Sequence, residues 1–215
     1  MLIVLLSKYS YKSSNNQHIY LKILNHLRTD ATSVLVQLGN VNKNRSPVNI
    51  YANVFHWLYV NGQIPDIALF RLSSAAPLSA DIYPVKLPRR SQQELSRFDN
   101  ARAVVSGFGG TANGLPDLLQ FTTMKVLTNA ECRRYYGNFI DSNKLCARGD
   151  PNAVSGICGG DSGGPLVVYE NNQAVQIGIS IVTLGSCDST NPNGFTRVGA
   201  YLDYIRDITG VQILN

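Results

Sequence analysis

Along most of the chain, apolar residues come in short runs separated by turn-forming residues. Ser33 to Leu38 reads Ser-Val-Leu-Val-Gln-Leu, and strand-like segments recur at Val48–Phe55, Ile67–Leu72, Ala103–Gly107 and Leu118–Val126, with turn signals between them. Regular short strands of this kind predict a sandwich or barrel. Near the C-terminus the period changes. Val198, Tyr201, Leu202, Ile205 and Ile208 recur at helical spacing and predict one closing amphipathic helix packed on the body. The opening stretch, Met1 to about Arg28, is rich in Lys, Asn, Tyr, Ser and Ile, contains no glycine or proline, and shows no clear strand period. The expected division is therefore an atypical leader over 1–29 and a folded domain over 30–215, with no internal repeat of solenoid length.

Composition supports the strand-and-turn reading. The chain has 215 residues, 44% hydrophobic and only 15% charged, with 18 glycines and 9 prolines. That length suits one large core or two small lobes. The formal charge of +5 is carried by Lys and Arg scattered along the chain, with Arg89-Arg90 and Arg133-Arg134 the only adjacent pairs. Such scatter predicts solubility and no nucleic-acid partner. No transmembrane span is present in the sequence, so no membrane partner is expected. The apolar run Met1–Leu6 lacks a basic lead and a small-residue cleavage site. Four cysteines, Cys132, Cys146, Cys158 and Cys187, permit three disulfide pairings, among which counting cannot choose.

The stretch most suggestive of chemistry is Gly156-Ile157-Cys158-Gly159-Gly160-Asp161-Ser162-Gly163-Gly164-Pro165. Five glycines in ten residues disfavour helix and strand and allow backbone conformations that a Cβ would forbid. Amides around such a loop can converge on one point and stabilise an oxyanion if the loop is held rigid. Cys158 on one side and the apolar Leu166-Val167-Val168 on the other indicate a loop pinned between strands.

The run Gly-Asp-Ser-Gly-Gly-Pro resembles the nucleophile loop of trypsin- and chymotrypsin-like serine proteases. Further segments extend the resemblance from about Asp30 to the C-terminus. Asp66-Ile67-Ala68-Leu69-Phe70-Arg71-Leu72 resembles the strand supplying the family's catalytic aspartate. Ser106-Gly107-Phe108-Gly109 resembles its Thr-Gly-Trp-Gly turn, and Pro192-Asn193-Gly194-Phe195-Thr196-Arg197-Val198 resembles the strand before its terminal helix. The resemblance implies an all-β fold of two six-stranded antiparallel β-barrels with the catalytic groups in the cleft between them, and a C-terminal α-helix. The leader replaces a longer family segment, so the N-terminal barrel is expected to be incomplete, with open edges.

The resemblance also assigns roles. Ser162 is the candidate nucleophile, Asp66 the group that orients the base, and the amides of Gly160 and Ser162 the oxyanion hole. It implies the disulfides Cys132–Cys146 and Cys158–Cys187, and with them an oxidising, extracellular setting. The family carries its histidine in a Thr-Ala-Ala-His-Cys segment that this chain lacks. Of His18, His26 and His56, His26 stands about the expected distance before both Asp30–Val34 and Asp66, and is the candidate base. Gly156, six before Ser162, occupies the pocket-floor position where a trypsin-like enzyme has aspartate; with Thr183 and Asn193 it defines a neutral pocket and predicts cleavage after apolar residues, a small-residue preference being the near alternative.

In the family, a freed Ile-Val-Gly-Gly-like N-terminus supplies an ammonium to the aspartate preceding the nucleophile, here Asp161. No such sequence occurs upstream, so Asp161 is expected to lack its cation, the loop to relax, and the chain to hydrolyse peptides far below family level. Expected partners are protein or peptide substrates and protease inhibitors, acting on a monomer without metal or cofactor. Three readings stand: a secreted endopeptidase, a non-catalytic homologue that binds proteins, and an incomplete chain whose first segment does not belong to the fold.

Overall fold

The structure is a computed structural model that describes residues 19–22, 33–57, 67–149, 156–187 and 190–215. In its N-terminal half, β1 (Ile19–Lys22), β2 (Val34–Leu38), β3 (Val48–Trp57) and β4 (Ala68–Leu72) form a four-stranded antiparallel sheet in the order β1-β4-β3-β2. Alternation explains β2, where Val36 and Leu38 are buried while Leu35 and Gln37 face out. They pack with Ile50, Ala52, Phe70, Leu72 and Ile82 in the sheet's own core.

β4 reads as a nearly continuous apolar run because it is buried on two sides. Phe70 and Leu72 enter the sheet core. Ile67 and Leu69 instead pack with Ile179, Ile181, Val198, Leu202 and Ile205 from the C-terminal half. This second cluster fixes the start of β4 against the body of the other half.

The C-terminal half is a closed six-stranded barrel in the order β10-β7-β6-β5-β8-β9. Its strands are β5 (Arg102–Gly107), β6 (Gln120–Val126), β7 (Lys144–Gly149), β8 (Pro165–Glu170), β9 (Gln173–Val182) and β10 (Asn193–Arg197). Ala103, Val105, Met124, Val126, Leu145, Leu166, Val168, Ile177 and Phe195 fill the interior. Between β6 and β7 lies a helix, α1 (Asn129–Tyr136). It opens with a capping box in which Thr128 accepts from the Glu131 amide and Glu131 reaches back to the Thr128 amide. The chain closes with α2 (Leu202–Thr209) after a 3₁₀ turn over Val198–Tyr201.

A short tether joins the halves. The Leu119 amide donates to the Val41 carbonyl at 2.7 Å, the Lys43 amide to the Asp117 carbonyl at 3.0 Å, and the Lys43 ammonium to the Pro116 carbonyl at 2.7 Å.

Three expectations need correction. The C-terminal helix is real but begins at Leu202, its first predicted turn being 3₁₀, and Ile208 is 38% exposed, beyond the buried stripe. The strand Ile19–Lys22 lies inside the stretch set apart as a leader, yet it pairs with β4 from Ile19↔Arg71 to Lys22↔Ala68. Four hydrogen-bonded residues are too few to show a period. The helix α1 is not among the elements predicted above, although Thr128-x-x-Glu131 carries its start signal.

Both disulfides implied by the resemblance are formed. Cys132–Cys146 has a Cα separation of 5.9 Å and Cys158–Cys187 one of 4.9 Å. The first ties the buried side of α1 to β7, both cysteines being fully buried. Closing a loop of this length stabilises by about 3 kcal/mol. Replacing both Cys132 and Cys146 by alanine is expected to lower the urea-unfolding free energy by about that amount; a loss under ~1 kcal/mol would show that α1 packing alone holds the segment.

Candidate active site

Local turn chemistry builds the loop around Ser162. The Asp161 amide donates to the Cys158 carbonyl at 3.0 Å and the Gly164 amide to the Asp161 carbonyl at 2.8 Å, giving two consecutive four-residue turns. Gly160 and Gly163 occupy the third position of each with φ of +100° and +85°. Turns with positive φ at that position call for glycine. Ser162 is thereby set at the second position of the second turn, half-buried, and among the described residues its hydroxyl has no hydrogen-bond partner.

Neighbouring chain segments fix the loop from two sides. The Gly163 amide donates to the Ser180 carbonyl and the Ser180 amide to the Gly164 carbonyl, both at 2.8 Å. Ser180 is fully buried, and its hydroxyl has no partner among the described residues. On the other side, the Gly110 amide donates to the Gly159 carbonyl at 2.9 Å. A trans peptide points its carbonyl and its amide in opposite directions. Pinning the Gly159 carbonyl toward Gly110 therefore aims the Gly160 amide away from it. Neither the Gly160 nor the Ser162 amide has an acceptor among the described residues, so both remain open to an anionic oxygen.

Asp161 points the other way. Its carboxylate accepts the Gly109 amide at 2.8 Å and the Cys158 amide at 2.9 Å. A Cβ on Gly107 or Gly109 would overlap the Asp161 carboxylate, so the turn after β5 closes on it only with glycine at both positions. Burial pushes the Asp161 pKa up, and the two amide hydrogen bonds offset part of that rise. Two backbone donors hold Asp161, and the loop keeps its turns although no cation pairs with this carboxylate among the described residues. Asp161 also lines a cavity of about 420 Å³ with Ser106, Gly107, Gly109, Thr111 and Phe121. The cavity lies behind the loop, and Ser162 is not among its lining residues.

The three pocket candidates come together. The Ile157 amide donates to Asn193 Oδ1 at 3.0 Å, and Asn193 Nδ2 donates to Thr183 Oγ1 at 2.9 Å. A Cβ on Gly156 would lie 2.6 Å from Asn193 Oδ1. Asn193 is buried and uses its amide within the protein, so the group is neutral and internally satisfied. Tyr136 anchors the approach to β10 by donating to the Pro192 carbonyl at 2.6 Å, and burial pushes its phenol up to about 12.

Asp66 and His26 lie outside the described residues. Lys22 pairs with Ala68, so His26 follows that pair by four residues and Asp66 precedes it by two. Ile67, next to Asp66, packs with Ile179 and Ile181, which flank the Ser180 that grips the nucleophile loop. His56 stands on β3 opposite Leu69. Sequence reasoning passed over the amides of Gly109, Cys158 and Gly110, because backbone donors leave no mark in side-chain patterns. Among the described residues no group of three or more His, Cys, Asp or Glu gathers to hold a metal, and no helix is long and apolar enough to cross a membrane.

Comparison with known proteins adds a second line of evidence. The family profile described as Trypsin matches residues 16–205. The chain is 33% identical over 192 residues to a collagenase of Hypoderma lineatum, covering 86% of this chain and 71% of that protein. It is 40% identical over 112 residues to serine protease 1 of Drosophila melanogaster, covering 51% of this chain and 40% of that protein. The solved structure of HL collagenase superimposes with a TM-score of 0.78 at 28% identity, over 90% of this chain and 83% of that one.

The Asp161 pKa shift carries a definite sign. A folded-state pKa raised above the ordinary 3.8 means that the folded chain binds this proton more tightly than the unfolded chain. The stability it contributes is present below the unfolded pKa and is lost as pH rises through the folded one. The melting-temperature difference between the unmodified chain and Asp161→Asn is therefore expected to shift against the unmodified chain as pH rises from 3.8. A difference moving the opposite way would show that the two amide bonds outweigh burial.

Proposed function

The chain belongs to the trypsin family of serine proteases, and from that membership we propose that it is a working serine endopeptidase with Ser162 as nucleophile, His26 as base and Asp66 as the group that orients the base. In this reading Ser162 Oγ attacks the carbonyl carbon of the scissile bond as its proton passes to His26. The resulting oxyanion is held by the Gly160 and Ser162 amides. His26 then protonates the leaving amine, and water, deprotonated by the same histidine, releases the acyl group from Ser162. The observation that carries the reading is the hydrogen bond from the Gly110 amide to the Gly159 carbonyl, which leaves the Gly160 amide open beside that of Ser162. In sequence, His26 follows Lys22 by four residues and Asp66 precedes Ala68, the partner of Lys22, by two, which supports reading them together.

Substrate preference follows from the pocket group. Gly156, Thr183 and Asn193 offer no charge for Lys or Arg, so the enzyme is read as cleaving after apolar residues. A Cβ at position 156 would lie 2.6 Å from Asn193 Oδ1, so Gly156→Asp has to displace the Asn193 amide before it can admit basic residues. The cavity beside Asp161 fits the family's activation arrangement, in which an N-terminal ammonium pairs with this carboxylate. Two disulfides support an extracellular setting, with protein substrates and protease inhibitors as partners of a monomer. The catalytic domain is read as beginning upstream of Ile19, since β1 belongs to its sheet.

A fluorophosphonate probe, which reacts only with an activated serine, tests the assignment. The full chain is expected to label, and labelling is expected to disappear in Ser162→Ala and to fall by about 10⁴-fold or more in His26→Ala. A folded, monodisperse protein that does not label would leave the non-catalytic homologue as the reading. A peptide library should show cleavage after apolar residues, and dominant cleavage after arginine would overturn the pocket assignment.

A further inference from the structure

The strand register gathers basic residues that are far apart in sequence. Arg102 on β5 stands opposite Lys125 on β6, and Lys125 stands opposite Arg148 on β7. Residues directly opposite in antiparallel strands share a face. Their neighbours Ala103, Met124, Val126 and Ala147 are buried in the barrel, so the three basic residues lie on its outer surface. Arg102 and Lys125 are exposed, and Arg148 is half-buried. At a strand spacing of about 4.8 Å they form a row about 10 Å long.

The row keeps a net positive charge. None of the three forms an ion pair among the described residues. Like charges directly opposite each other destabilise a sheet, and the attraction of Lys125 and Arg134 to the nearby Glu131 carboxylate is set against three row cations. Arg148 lies with its guanidinium carbon 5.1 Å from the Tyr135 ring centre and donates to the Tyr135 hydroxyl at 2.5 Å, which holds it beside α1. Arg134 on the exposed face of α1 extends the positive surface. The adjacent carboxylate, Glu131, is engaged as the helix cap, accepting the Thr128 amide at 2.9 Å and hydroxyl at 2.8 Å.

We propose that the row Arg102–Lys125–Arg148, extended by Arg134, is a docking surface for a sulfated polysaccharide. A linear array of fixed cations matches a linear array of fixed anions, and binding gains from counterion release. Two features favour a sulfated glycan over a nucleic acid. The disulfides place the chain in an oxidising, extracellular compartment, where such glycans are the abundant polyanions. The ring beside the row, Tyr135, has one face taken by Arg148, which leaves less of it for a base to stack on. The row sits at the Arg102 end of β5, whereas the turn after Gly107 at the other end closes on Asp161. Five residues of strand separate the two ends by about 17 Å. Glycan docking would therefore localise the protein without covering the Ser162 loop.

Isothermal titration of the full chain with heparin across a salt series tests the proposal. Binding is expected, with the logarithm of affinity falling linearly with that of salt. Arg102→Gln and Lys125→Gln should each weaken binding several-fold and reduce the slope by about 1. Lys125→Arg should retain it, and Arg71→Gln, on the N-terminal sheet, should leave it unchanged. An unchanged far-ultraviolet circular-dichroism spectrum for each variant separates lost binding from lost folding. No heparin binding at physiological salt, an equal loss in Arg71→Gln, or single-stranded DNA or polyglutamate binding as tightly as heparin would each overturn the proposal.

Discussion

The Asp161 carboxylate accepts amides from Cys158 and from Gly109, and through those two bonds the nucleophile loop is joined to the turn that follows β5. The joining is demanding. The carboxylate is drawn into the protein, where its charged form is disfavoured, and it stays ordered because backbone donors meet it. Once Asp161 is held inward, the next residue turns outward, and the two adjacent turns carry Ser162 to the surface of the loop. The Gly159 carbonyl, tied to the Gly110 amide, then decides which way the Gly160 amide faces. Inward carboxylate and outward serine are two consequences of one backbone path.

What could be read from the sequence follows the range of the interactions involved. The loop was legible because its turns are local, and Gly160 and Gly163 stand where positive φ is required. The strands β2 to β6 were legible because each shows alternation or an uninterrupted apolar run. β8 and β9 were harder. Pro165–Glu170 and Gln173–Val182 are buried on most positions and show no period of two. Ile19–Lys22 was illegible as a strand because its partner, β4, lies nearly fifty residues away and supplies the reason for its extension.

The surface charge illustrates the same limit from another side. Along the sequence the basic residues look evenly dispersed, and dispersion suggested solubility alone. Cross-strand register then brings Arg102, Lys125 and Arg148 into one row. Each stands 23 residues from the next along the chain. The pocket behaves likewise: Gly156, Thr183 and Asn193 were named separately, but the hydrogen bonds that satisfy Asn193, and so close the pocket floor to a side chain at 156, exist only in the folded arrangement.

The tether between the halves involves Val41 and Lys43 on one side and Pro116, Asp117 and Leu119 on the other. The segment it grips runs from Thr111, which borders the Asp161 cavity, into β6. Its far anchor follows β2, the outermost strand of the four-stranded sheet. Fraying of that strand would slacken the cavity rim without breaking any bond at Asp161 itself. Beside the apolar cluster at the start of β4, a few backbone contacts remote from the serine thus couple the halves, and the rigidity of the site is partly borrowed from an edge of the four-stranded sheet.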